Sequence, residues 1–122
     1  MTTIYEMGHQ HYVVILSPVP TQAQQANAVT AFNTYLRLRN ITATEVDLTP
    51  ANLGWRVNLA ETQVLISIPY KTRLTQTMAA RAADWLTDRG VVVVATYNQA
   101  NVVQWAALQT LLAGPEWSRP FP

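Results

Sequence analysis

The only lysine in the chain stands in Tyr70-Lys71-Thr72-Arg73, the densest polar group among its 122 residues. Lys71 and Arg73 have the chemistry to clamp a phosphate or carboxylate, with Tyr70 set against an aromatic or sugar ring. The other reading of this loop is a solvated turn whose cations stay apart. A second polar run, Thr96-Tyr97-Asn98-Gln99, offers hydrogen bonds to a ligand, or equally a turn that caps the helix after it. Ser17 and Asp47 complete the side chains that a common cleft would draw on.

Other chemistries lack their residues. There is no cysteine, so disulfides, thiolate metal sites and cysteine nucleophiles are excluded together. Ser17, Ser67 and Ser118 are the only serines, Ser67 falls mid-strand, and both histidines precede the first strand's core, so no Ser-His-Asp set forms. His9 and His11 share a strand face, but Glu6 is the only carboxylate near them, which is too few ligands for a metal. Asp84 and Asp88 lie one helical turn apart beside Arg81 and Arg89, the pattern of a solvated helix face. Ser17-Pro18-Val19-Pro20 has no glycine to let backbone cradle a pyrophosphate. A phosphorelay receiver would need acids after the first strand and an aspartate ending the third, where Ser17-Pro18 and Ile68-Pro69 stand. No metal and no cofactor is expected.

The elements that must position these residues follow from three short apolar runs, at residues 12–16, 64–68 and 91–95, separated by stretches with helical periodicity. Unbroken Val/Ile/Leu runs read as strands buried on both faces, and alternation with helices reads as parallel pairing through crossovers. The first strand spans 11–17. Thr21 and Gln24 form a capping box for a helix to about residue 39, with Ala26, Val29, Phe32 and Leu36 as its buried stripe. Period-two alternation over residues 42–48 predicts a half-exposed edge strand. A strand at 63–68 is closed by Pro69. Thr75 caps a helix with Met78, Ala82, Trp85 and Leu86 on one face, and Arg89-Gly90 ends it. The valine run at 91–96 reads as a buried fourth strand. Asn101 caps a last helix with Val103, Ala107, Leu108, Leu111 and Leu112 facing the core.

This order predicts a small three-layer α/β sandwich with a parallel sheet of about four strands in order 2-1-3-4, a flavodoxin-like topology. Ligands would bind where the strand order reverses, between strands one and three, which gathers Ser17, Asp47, Tyr70, Lys71, Arg73, Tyr97 and Asn98. One domain spans the chain, with residues 1–8 leading in and 115–122 as an extended tail.

Composition narrows the partners. A formal charge of +1 is not the basic footprint of a nucleic-acid binder. No apolar stretch approaches the roughly 20 residues that span a bilayer, and the first residues lack the regions of a signal peptide. The cytoplasm is the default compartment. Low charge with four Trp and five Tyr points to a surface covered by a partner.

Residues 62–112 carry a strand (64–68), a loop opening Leu74-Thr75, a helix ending Trp85-Leu86-Thr87-Asp88-Arg89-Gly90, a valine strand, a polar turn and a further helix. That segment resembles a class I glutamine amidotransferase-like domain. The catalytic members of that family place a Cys on a sharp turn after a central strand, and no residue here takes that role. Glycines that shape the family's oxyanion site are replaced after Ile68 by Pro69-Tyr70-Lys71. The resemblance therefore implies a degenerate domain kept for binding or assembly.

The functional expectation is a non-catalytic module that binds a protein partner or assembles with itself, anchored by Trp55, Trp105, Trp117 and Phe121. The competing expectation is an enzyme or sensor that holds an anionic small molecule in the strand-end cleft through Lys71 and Arg73.

Overall fold

A computed structural model describes residues 10–49, 53, 55–71, 73–87 and 89–118 of the chain. The element order is β1 (Gln10–Ser17), α1 (Gln22–Arg37), β2 (Arg56–Val57), β3 (Val64–Tyr70), α2 (Gln76–Leu86), β4 (Val92–Asn98), α3 (Val102–Leu112) and a 3-10 turn (Pro115–Trp117).

Helix starts follow local chemistry. Thr21 Oγ1 accepts the Gln24 N–H at 3.1 Å and Gln24 Oε1 accepts the Thr21 N–H at 2.8 Å, closing the capping box of α1. Thr75 and Asn101 accept from the third helical N–H of α2 and α3. Beyond α1, Asn40 adopts a left-handed conformation (φ 61°), and the Ile41 N–H reaches back to the Leu36 carbonyl at 3.0 Å.

The four strands form one sheet in the order β2-β3-β1-β4, and every neighbouring pair is antiparallel. The units β1–α1–β2 and β3–α2–β4 interleave, each sending its second strand past one strand of the other, which is the split βαβ or ferredoxin-like arrangement. This overturns the expected parallel, flavodoxin-like sheet of order 2-1-3-4. Gln10 lies opposite Tyr70 and Leu16 opposite Val64, so β3 runs back along β1.

Two asparagines account for the reversal. Residues 42–48 do not form the expected edge strand. The Thr42 carbonyl takes the N–H groups of Glu45 and Val46 in a turn, both at 3.0 Å. The Asn33 side chain then holds both backbone groups of Leu48, accepting its N–H at 3.1 Å and donating to its carbonyl at 2.9 Å. An amide on α1 thus takes the place of a neighbouring strand, while Ile41, Val46 and Leu48 are buried in the main core. The second strand is instead the short β2, joined to β3 by a loop built on buried Asn58. Its Oδ1 accepts the N–H groups of Thr62 (2.9 Å) and Gln63 (3.1 Å), its Nδ2 donates to Thr62 Oγ1 (3.0 Å), and Glu61 turns left-handed at φ 57°. A hairpin reverses chain direction; a crossover would not.

β3 continues through Pro69 to Tyr70, beyond its expected end. His11, opposite Pro69, directs its N–H to Gln99 on the β4 side, so the missing proline N–H interrupts no bond to β1.

Side chains of β1 alternate between two cores. Val14 and Leu16, with Val64, Ile66 and Ile68 of β3, pack under α1 and α2 against Phe32, Leu36, Ala82 and Leu86. Val13, Ile15 and Leu65 face the opposite way and meet Leu108 of α3 and Trp117. Two expected features are corrected here. β4 is an edge strand rather than a buried one, because β1 is its only neighbour among the described residues. Of the residues expected on the core face of α3, only Leu108 is buried, and Val103 and Ala107 are exposed.

Asn58→Ala leaves the loop N–H groups of Thr62 and Gln63 without their acceptor. It is expected to destabilise the fold by about 1–3 kcal/mol, read as a lower urea midpoint, whereas Asn58→Asp, which keeps Oδ1, loses less. An unchanged midpoint in the alanine variant would remove Asn58 from this role.

Candidate functional site

Antiparallel pairing disperses the side chains that a parallel sheet would gather. Ser17 stands at the end of β1 remote from Tyr70, where its hydroxyl donates to the Thr62 carbonyl at 3.1 Å. Asp47 pairs with Arg37 of α1 at 3.1 Å. Arg73 pairs with Glu45 at 2.9 Å and also donates to the Asn40 carbonyl, tying the β3–α2 loop to the segment after α1. The Lys71 N–H closes its own turn on the Leu74 carbonyl at 2.6 Å.

Tyr70, Tyr97 and Asn98 do share one end of the sheet. The Tyr70 hydroxyl donates to Asn98 Oδ1 at 2.6 Å, across the start of β1. Asn98 Oδ1 also accepts the Ala100 N–H at 3.0 Å, and its own N–H donates to Gln104 Oε1 at 2.9 Å. Gln99 exchanges bonds with His11: its N–H donates to the His11 carbonyl at 3.0 Å, and its Oε1 accepts the His11 N–H at 2.9 Å. Tyr97 turns to the opposite face and packs with the α3 core. This polar run therefore builds the turn into α3.

Two of the four expected anchors belong to the interior. Trp55 is buried in the main core and Trp117 in the second, beneath α3. Trp105 is half-buried against that second core. Phe121 lies outside the described residues. The expected extended tail begins instead with the 3-10 turn Pro115–Trp117, which closes on the β2 side: Arg56 donates to the Trp117 carbonyl, Leu59 N–H to the Glu116 carbonyl at 2.8 Å, and Ala60 N–H to Glu116 Oε1 at 3.0 Å.

Among the described residues there is no group of three His, Cys, Asp or Glu placed to hold a metal, and no helix long and apolar enough to cross a membrane. An apolar crevice of ≈ 10 Å³ between α1 and α2, room for about one water, is lined by Phe32, Leu48 and Leu53 among others, with no polar side chain among the described residues that line it. Small-molecule sites run to about 300–1,000 Å³ and carry such groups. On the outer seam of the same helices, Tyr35 and Trp85 lie 5.3 Å apart with the Arg39 guanidinium 3.7 Å over the Tyr35 ring, which fastens the pair.

What stands out is apolar surface without charge. Val92, Val93 and Val94 of β4 are 59, 41 and 50 % exposed, and Val102 and Val103 of α3 are 81 and 79 % exposed. From residue 90 to residue 115 no side chain is acidic or basic; all charge lies elsewhere in the chain. Single exposed apolar residues are ordinary, but charge depletion combined with apolar exposure is the mark of a protein interface. The sequence alone reads Val92–Val94 as part of a buried strand and Val103 as facing the core, and the structure exposes all four.

The Arg73 side chain, first through its hydrogen bond, holds the Glu45 carboxyl below the usual glutamate range. Because the folded value is the lower one, the tether is present above the ordinary glutamate range and lost as pH falls through the lowered value. Arg73→Ala is expected to move the Glu45 midpoint upward in an NMR titration of side-chain carboxyls; an unmoved midpoint would show that the pair is not held in solution. Comparison of the chain with protein-family models, with curated proteins and with solved structures finds no match.

Proposed function

We propose that the chain is a non-catalytic assembly module that works by burying exposed apolar residues of its uncharged β4–α3 segment against protein. The observation that carries this reading is the exposure of Val92–Val94 and of Val102 and Val103 within a segment free of charge. Fully burying an exposed valine is worth about 1.5 kcal/mol, and Val92–Val94, 41–59 % exposed, each have about half of that left to gain. Several such side chains together exceed the cost of ordering a small interface only when they act at once, which is how an association surface differs from scattered apolar exposure.

The polar residues support the same reading by what they already do. Arg73, Asp47, Tyr70, Asn98 and Gln99 each make bonds that join elements of the fold. The anion-binding alternative would have to break the Arg73–Glu45 pair before that guanidinium could serve a ligand.

Sedimentation velocity over a concentration series tests the proposal. The 13.6 kDa chain is expected to show mass rising with concentration. The double variant Val94→Lys, Val103→Lys is expected to lose that rise while keeping its unfolding midpoint, since exposed substitutions of this kind cost about 0.5 kcal/mol or less. A wild-type chain that stays monomeric throughout, or an association that the double variant leaves untouched, would overturn the reading.

A further inference from the structure

Given that this surface associates, as proposed above, we infer that its partner is a second copy of the chain, joined edge to edge through β4 about a two-fold axis. An edge strand presents a row of unpaired N–H and C=O groups, and natural edges are guarded by short length, charge, proline or a covering element. The two edges of this sheet differ sharply in that respect.

β2 is guarded. It is two residues long, one of them is Arg56, and the 3-10 turn bonds to it and to the loop after it. β4 is seven residues long, contains neither charge nor proline, and has no strand on its outer side among the described residues. A head-to-tail pairing of β4 with β2 would grow an open chain, and β2 is closed to it. Pairing β4 with its own copy closes on itself as a two-fold dimer.

The hydrogen-bond pattern locates the axis. The Gln99 N–H donates to the His11 carbonyl of β1. Backbone groups alternate sides along a strand, so those of Tyr97 and Ala95 also face β1, and those of Asn98 and Thr96 face outward. The Asn98 N–H is already taken by Gln104 Oε1, which marks one end of the open run. The register shift between Ile15 and Leu16 marks the other. Thr96 is the outward residue between them. A two-fold axis there lets the two copies of Thr96 exchange both backbone bonds, and sets Ala95 against Tyr97 and Val94 against Asn98 of the partner copy. Thr–Thr is a favourable cross-strand pair, and a strand without charge never opposes like charges when it meets itself. The product is one continuous eight-stranded antiparallel sheet with Val92, Val93 and Val94 of both copies along the seam.

The absence of cysteine in the chain makes the test clean. Residues facing each other in a hydrogen-bonded antiparallel pair have Cα atoms about 5.5 Å apart, within disulfide reach. Under mild oxidation Thr96→Cys is expected to form a covalent dimer, whereas Val103→Cys on α3 and Thr34→Cys on the exposed side of α1 remain largely uncrosslinked. Thr96→Lys places two like charges on the axis and is expected to weaken the wild-type dimer at least tenfold by sedimentation, with its circular dichroism and unfolding midpoint retained. Cross-linking of Val103→Cys but not Thr96→Cys in a chain that still associates would overturn the strand pairing and leave the association reading standing. A wild-type monomer would overturn both.

Discussion

Strand β1 is surrounded by protein on every side, and most of the molecule follows from satisfying it. Its backbone pairs with β3 along one edge and β4 along the other, and its side chains alternate between two apolar cores. A strand with apolar residues on both faces leaves hydrocarbon in water unless a layer packs on each. α1 and α2 supply one layer, around Phe32 and Leu36. The other is supplied by α3 with Trp117, whose contact runs through Val13, Ile15 and Leu65.

Those two layers are unequal. The α1–α2 side gathers most of the buried side chains and uses Trp55 to complete its core. The α3 side buries few, with Leu108 the only fully buried residue of the helix. An apolar helix that is mostly exposed is an unstable arrangement in water by itself, since helices apolar all round belong in interiors. The strand that leads into this helix, β4, has no outer neighbour among the described residues. Both features fall in the segment that lacks charge.

The side chains that suggested chemistry turned out to be connectors. Amides of Asn33, Asn58, Asn98, Gln99 and Gln104 bond to backbone groups that regular secondary structure leaves over. Arg73 and Asp47 hold loops to α1 and its continuation. Part of this was visible in advance: Thr96-Tyr97-Asn98-Gln99 was readable as a turn leading into a cap. That Asn33 would stand in for a strand was not, because its partner Leu48 lies across the α1–loop packing and no local pattern announces it.

Local signals were the ones that sequence carried. Thr21, Thr75 and Asn101 start helices through bonds to residues three positions away, and the apolar runs mark β1, β3 and β4, because a strand or a cap is set by near neighbours along the chain. Strand direction, strand order and the exposure of Val92–Val94 were decided only by tertiary structure. An apolar run looks the same whether its neighbours are parallel or antiparallel, and whether it has two neighbours or one. What separates those cases here is a hairpin loop gathered on Asn58 and an extended segment captured by Asn33, interactions whose outcome depends on which elements meet in space.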